Sequence, residues 1–266
     1  MSYIIAIGLY LVLLMVYGLV IAHKKVKTTD DMMTGGHKIP FIILVGSLLA
    51  TWCGGGGITG SAGVVYSGGP WVGVLTFAAP PIGIILLYFI AGKVRKSNKL
   101  TVPEIMGARY GTAASIISAL CVMLAYVGVL ATQLKAAANI LVLLCHSSGI
   151  EISHGVALAI CTVIIVIITV GGGLVSVAYS DAVSALIMIG GFFLAIPILM
   201  RAASAQGAVL PAEKTTFTGG MSGWTLLGYF LPSLALMLGD QNMLQRFASA
   251  KNSDEAKKSN IGMFIG

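Results

Sequence analysis

Residues Gly46 to Gly60 read GSLLATWCGGGGITG, with four consecutive glycines at Gly54 to Gly57. The surrounding segment from Ile39 to Gly92 contains no Asp, Glu, Lys or Arg and is long enough for two membrane-spanning helices. Each glycine costs a helix about 1 kcal/mol relative to alanine. Because lipid offers no hydrogen bonds to an open backbone, a break at this depth survives only where it lines a cavity or coordinates a ligand. We therefore expect an ion or a small molecule to bind at the glycine run.

The composition is that of an integral membrane protein. Of the 266 residues, 57% are hydrophobic and 9% are charged, whereas soluble domains carry about 25% charged residues. Seven apolar segments each come near the roughly 20 residues that cross a bilayer. They are Tyr3–Ala22, Ile39–Tyr66, Pro70–Gly92, Thr112–Cys145, Gly155–Val170, Leu174–Met200 and Trp224–Phe247. An eighth helix begins near Ser259, so the sequence predicts an all-α fold within the lipid bilayer.

The positions of the Lys and Arg residues indicate how the chain is oriented in the membrane. The loops after the first, third and seventh predicted spans contain thirteen of the 16 Lys and Arg residues, which marks these loops as cytoplasmic. They are Lys24, Lys25, Lys27, Lys38, Lys93, Arg95, Lys96, Lys99, Arg109, Arg246, Lys251, Lys257 and Lys258. We expect a multi-pass protein of the plasma membrane with its N-terminus outside. The net charge of +7 therefore does not indicate a nucleic-acid partner.

Three charged residues lie well inside predicted spans, where a charge costs at least about 2.5 kcal/mol. Asp181 and Asp240 fall in the cytoplasmic half and Lys135 in the outer half, so Lys135 is not expected to pair with either carboxylate. Hydroxyls suited to sodium or proton passage flank Asp181 in the sequence. These are Ser176, Ser180 and Ser184. The alternative is that the serines bond the carbonyls of their own helix.

A second set of residues could contact a polar solute. Gln133, Lys135 and Asn139 belong to one helix, and the last two are four residues apart on one face. Lys135 could equally extend toward the outer membrane interface, and Trp52, beside the glycines, could serve for packing or for binding. Lys135 would suit a carboxylate and Asp240 a cation, so the sequence leaves the solute class open.

No pattern for enzymatic chemistry occurs. The four cysteines show neither paired nor metal-binding spacing, and the four histidines lie at span ends or in loops. There is no nucleophile elbow, phosphate loop or acid pair. The sequence predicts no enzyme, and no cofactor apart from a coupling ion.

Four segments resemble successive motifs of the sodium:solute symporter family. They are Gly46 to Gly60, Thr101 to Gly111 (TVPEIMGARYG), Gly172 to Asp181 (GGLVSVAYSD) and Gly239 to Arg246 (GDQNMLQR). The resemblance implies the inverted-repeat fold of the leucine transporter with an extra N-terminal helix at residues 1–22. Residues 39–200 would form the first five-helix repeat, and residues 224–266 would begin the second.

The resemblance also implies site residues. Gly55 and Ile58 look like the unwound-helix positions whose backbone carbonyls bind sodium, and Asp181 looks like the aspartate linked to sodium handling. Gln241 looks like part of the helix that borders the solute together with the helix of Gln133. Ser184 departs from the glutamine of many members. The tryptophan-cysteine-glycine run and SVAYSD are most similar to the branch that contains the high-affinity choline transporter, whereas Gly239 to Arg246 looks like another branch.

These features predict a sodium-coupled symporter that moves a small polar organic solute by alternating access. The residues after Lys258 are too few to cross a bilayer, so we expect the chain to be an N-terminal fragment or a truncated product. The alternative is a symporter-like sensory module of a signalling protein.

Overall fold

A computed structural model describes residues 2–207 and 209–266, and all regular secondary structure in these two ranges is helical. The α-helices are α1 Ser2–Lys25, α2 Thr29–Thr34, α3 Phe41–Trp52, α4 Gly55–Gly68, α5 Pro70–Phe77, α6 Ala79–Ser97, α7 Val102–Tyr110, α8 Thr112–Ser147, α9 His154–Ala205, α10 Gly223–Gly239, α11 Gln241–Ala248 and α12 Ser253–Ile265. Short 3₁₀ helices cover Gly35–His37 and Ala212–Thr215. The predicted all-α fold is confirmed.

Within the described residues, four helical stretches are long and apolar enough to cross a bilayer. They are Ile4–Lys25, Pro70–Ser97, Thr112–Ser147 and Gly173–Ala205. Phe41–Trp52 and Gly57–Gly68 together make a fifth candidate span, bent by 50° at its break. A shorter apolar helix, His154–Ile167, occupies the fifth predicted span. The chain is therefore a multi-pass membrane protein.

The glycine run interrupts the second predicted span as expected. Helix α3 ends at Trp52, Gly54 is extended with φ −70° and ψ 160°, and α4 begins at Gly55. The seventh predicted span is also interrupted, because Asp240 is extended between α10 and α11 with φ −65° and ψ 115°. Within the described residues, the second and seventh predicted spans are thus broken helices, and the sequence indicated the first of these breaks.

A third irregularity divides α9. Gly173 has φ 55° and ψ −154°, a conformation that essentially only glycine adopts readily. A Cβ at this position would also lie 2.5 Å from the main-chain oxygen of Met32. The bend separates the fifth and sixth predicted spans.

The loops after the first, third and seventh predicted spans meet at one end of the molecule. Arg95 on α6 donates from Nε to the carbonyl of Ala250 at 2.6 Å. His37 Nδ1 lies 2.7 Å from the carbonyl of Ala248, and Ile39 forms an isolated β-bridge with Ala250. We call this the basic end, since these loops contain most of the Lys and Arg residues.

The most completely buried side chains lie between the two broken helices and their neighbours α6 and α12. Side chains with no more than 3% exposure include Leu44, Leu48, Leu87, Met237, Met243, Phe247 and Met263. They belong to one cluster of buried residues. Gly46 permits close packing at its edge, because a Cβ there would lie 2.7 Å from the Cα of Ala182 on α9.

Candidate solute and ion site

A cavity of about 920 Å³ adjoins both helix breaks. Its lining comes from the end of α3, from α4, α5, α6 and α8, from α9 after the bend, and from the α10–α11 junction. The aromatic lining residues are Trp52, Tyr66, Phe77 and Phe192. The polar ones are Thr51, Ser61, Thr76, Thr132, Gln133, Ser233, Asp240 and Asn242. No Lys or Arg occurs among the described residues that line it.

Three of the predicted solute residues line this cavity: Trp52, Gln133 and Asp240. Gln133 reaches the first break, because a Cβ built on Gly54 would overlap its Nε2 atom. The first glycine of the run is therefore required by the close approach of a side chain from α8. Helix α8 therefore lies against the break between α3 and α4.

The other three predicted solute residues do not occur among the described lining residues. Lys135 and Asn139 are exposed on α8, and Asn139 Oδ1 lies 2.9 Å from Nε2 of His154. Residues two apart on a helix point in nearly opposite directions, so Gln133 and Lys135 cannot face one cavity. Gln241 accepts from the amide of Val102 at 2.7 Å and donates to the carbonyl of Leu100 at 3.1 Å. These bonds give Gln241 a structural role at the start of α7.

The predicted sodium carbonyls, those of Gly55 and Ile58, stay a prediction, and the structure places both residues in regular helix. Gly55 and Ile58 lie in the first turn of α4, where the amide of Ile58 donates to Gly54 and the hydroxyl of Thr59 donates to the carbonyl of Gly55 at 2.8 Å. An N-terminal turn presents amide donors, and its carbonyls face into its own helix. The side chain of Ile58 lines the cavity. This helical environment disfavours the role of its carbonyl that the resemblance implied.

Free carbonyl oxygens are instead expected at the end of α3. Its final main-chain bond runs from the amide of Cys53 to the carbonyl of Leu49 at 3.0 Å. The carbonyls from Ala50 to Cys53 lie beyond that bond, at the negative end of the helix dipole. Such ends of broken helices are suited to a monovalent cation.

Asp181 lies in a buried hydrogen-bonded network rather than alone. Its Oδ2 accepts from the hydroxyl of Ser47 at 2.8 Å and from Nη2 of Arg246 at 2.9 Å. Arg246 also donates from Nε to Ser47 Oγ at 2.7 Å. The sequence had placed Arg246 in a loop exposed to water, and this is wrong, because the residue lies in α11 and is 5% exposed. A compensating carboxylate on α9 allows the guanidinium to remain buried.

The three serines near Asp181 face another helix. Ser184 Oγ lies 2.9 Å from the hydroxyl of Tyr10 on α1. A Cβ at Gly18, also on α1, would lie 2.5 Å from Ser176 Oγ and 2.9 Å from Ser180 Oγ. The carboxylate of Asp181 instead contacts Ser47 on α3 and Arg246 on α11. The serines thus pack against α1 and do not form an oxygen cage around the carboxylate.

Asp240 caps the second half of its broken helix. Its Oδ1 accepts from the amide of Met243 at 2.9 Å and from the hydroxyl of Tyr126 at 3.2 Å. The same tyrosine oxygen accepts from the amide of Asn242 at 3.0 Å. Both bonds to the carboxylate within the described structure end on Oδ1. Sequence reasoning missed Tyr126, although it lies seven residues before Gln133 and hence on the same face of α8.

The family model for sodium:solute symporters matches residues 32–265. The chain belongs to the sodium:solute symporter family. One solved structural neighbour is a Na⁺-coupled sialic acid symporter in a substrate-bound, outward-open state. The two share a TM-score of 0.76 at 20% identity over 99% of this chain and 56% of the other. This similarity confirms the predicted transporter fold.

The curated relatives include high-affinity choline transporters. The protein of Torpedo marmorata is 27% identical over 96% of this chain and 46% of its own length. The human protein is 25% identical over 86% of this chain and 40% of its own length. The Drosophila melanogaster protein is 25% identical over 73% of this chain and 31% of its own length. The chain thus spans 31% to 46% of the length of these relatives. They are transporters, which confirms the prediction that the chain is not an enzyme.

Proposed function

We propose that the complete protein is a sodium-coupled symporter of a small organic cation. The observation that carries this proposal is the lining of the cavity: Asp240 provides a carboxylate at the second helix break, while Lys135 is not among the described lining residues. The cavity geometry therefore favours a cationic solute over an anionic one.

The aromatic lining supports the same choice. Cations are attracted to the faces of Trp, Tyr and Phe, and quaternary ammonium groups are typically bound by several such rings. Four aromatic side chains line the cavity together with Asp240. Relatives that carry the name choline transporter agree with this chemistry. The proposed solute pairs its charge with Asp240 and packs its alkyl groups against the rings.

For the sodium site, we propose the carbonyls at the end of α3. Trp52 and Cys53 belong to this helix end and also line the cavity. An ion that orders these residues would also order one wall of the solute site. Each ligand would then raise the affinity for the other by the same factor. Asp181 is 23% exposed and accepts a hydrogen bond from Ser47 on α3. Through this contact with α3, Asp181 keeps its proposed link to sodium binding.

The broader architecture follows the family. We propose that residues 1–22 form the extra N-terminal helix, that residues 39–200 form the first repeat and that residues 224–266 begin the second. The N-terminus would be outside and the basic end cytoplasmic in the plasma membrane. The transporter relatives favour symport over the sensory alternative.

The test is an uptake screen with the full-length protein in sodium or potassium medium. Choline, a sialic acid, a sugar and an amino acid serve as labelled solutes. We expect sodium-dependent uptake of the cation, and a tenfold or larger loss of its apparent affinity in Asp240→Asn. Lys135→Gln is the matched control and should transport like wild type. Sodium-dependent uptake of an anion alone, or an Asp240→Asn variant with normal cation affinity, would refute the assignment.

A further inference from the structure

The ion pair between the buried Arg246 and the half-buried Asp181 lies between the cavity and the basic end. Ser47, which bonds both charged groups, precedes the break at Cys53 by six residues. Arg246 follows the break at Asp240 by six residues. At 1.5 Å per residue, the network is about 9 Å from each break along its helix.

The network joins three helices by hydrogen bonds. Arg246 on α11 donates to Asp181 on α9 and to Ser47 on α3, and Ser47 donates to the same carboxylate oxygen. Arg246 Nη1 additionally donates to the carbonyl of Asn242 at 3.3 Å, within its own helix. The guanidinium thus connects the halves of both broken helices that lead to the basic end.

Apolar side chains close this part of the molecule. Leu44 and Leu48 on α3, with Met243 and Phe247 on α11, are each 0% exposed. They belong to the same buried cluster. A route from the cavity to the basic end between α3 and α11 would require both this cluster and the ion pair to separate.

We propose that Arg246 is a gating residue whose pair with Asp181 holds the basic end of the pathway closed. This inference rests on the proposed symport mechanism, in which that end must open once in each cycle. Moving the buried Arg246 guanidinium away from its carboxylate partner leaves its charge uncompensated, which is strongly unfavourable. The pair therefore opposes movement of α11 away from α3 and α9. Its loss should shift the resting population toward a state that is open at the basic end.

Cys53 provides a reporter, because it lines the cavity. The full-length protein would keep Cys53 and carry Cys121→Ala, Cys145→Ala and Cys161→Ala, together with replacements for any cysteines outside residues 1–266. A membrane-impermeant methanethiosulfonate reagent is added to right-side-out and inside-out vesicles. We expect Arg246→Gln to raise the labelling rate of Cys53 from the basic side at least tenfold. An unchanged rate from that side, or an equal increase from both sides, would overturn the proposal.

Two further variants separate gating from folding. Asp181→Asn/Arg246→Gln removes both charges, so no unpaired charge stays buried, and it should show the same one-sided increase if the single variant does not fold. Arg109→Gln, an exposed arginine of the basic end, should leave labelling unchanged. A one-sided increase in a protein that moves no cation would support the gate and refute the proposed solute. Cation transport by a protein whose Arg246→Gln variant leaves labelling unchanged would support the proposed solute and refute the gate.

Discussion

The replacement Gly46→Ala tests the packing that positions the charged network. Its Cβ would lie 2.7 Å from Ala182 Cα and 2.8 Å from Ala182 Cβ. Ordinary contact begins at 3.4 Å, so α3 and α9 must separate by about 0.7 Å, the difference between 3.4 and 2.7 Å. Neither contacted atom belongs to a flexible side-chain end. Overpacking of this kind typically costs about 1–3 kcal/mol of unfolding free energy.

Gly60→Ala is the matched control for this prediction. Gly60 lies on the other half of the same broken span, and a Cβ there meets no described atom within 4 Å. Since alanine favours a helix by about 1 kcal/mol over glycine, this variant should be neutral or stabilising. Both proteins would be heated in detergent, and the fraction that remains monodisperse would be measured. A Gly46→Ala protein as heat-resistant as wild type would refute the close-packing argument.

Three further predictions follow from single contacts. Tyr126→Phe removes the hydroxyl that bonds both Asp240 and the amide of Asn242. We expect a severalfold rise in KM for the cation. An unchanged KM would show that Tyr126 does not position the break at Asp240. Gly54→Ala should abolish uptake because its Cβ overlaps Gln133, and Gly54→Ala/Gln133→Ala should regain sodium-dependent uptake if this overlap is the cause. The hydroxyl of Thr28 and the amide of Lys27 lower the pKa of Asp31 below 3.8. Because the folded pKa is depressed, the stabilisation of α2 by Asp31 is present above pH 4 and is lost as the pH falls through the folded pKa. The hydrogen-exchange protection factors of the α2 amides, which correct for the intrinsic pH dependence of exchange, should therefore fall in wild type as the pH is lowered through the folded pKa and depend less on pH in Asp31→Asn.

The sequence was sufficient for features set by local chemistry. Apolar length predicted the helices, and the glycine run predicted the first break and its cavity. Asp240 was identified as an unusual intramembrane carboxylate, although its capping of α11 was not. The second break has no glycine run, since Asp240 adopts a conformation open to any residue.

Features that depend on tertiary packing could not be predicted in this way. Arg246 was assigned to a loop because charge at a span end ordinarily emerges into water, and nothing near it in sequence indicates the distant partner Asp181. The serine stripe was assigned to Asp181 by proximity in sequence, whereas the helix turn directs it toward α1. Helix phase alone would have excluded Lys135 from the face of Gln133.

The central claim is that the cavity between the two helix breaks binds an organic cation together with sodium. Protection of Cys53 against a small thiol reagent applied from outside tests it directly, because this thiol lines the cavity. The full-length protein with Cys53 as its reactive cysteine is labelled in potassium medium, in sodium medium, and in each with saturating choline. We predict that sodium and choline together slow the labelling of Cys53 several-fold more than either alone, and that Asp240→Asn loses this effect. Equal labelling rates in all four media, in a protein that still transports choline with sodium, would contradict it.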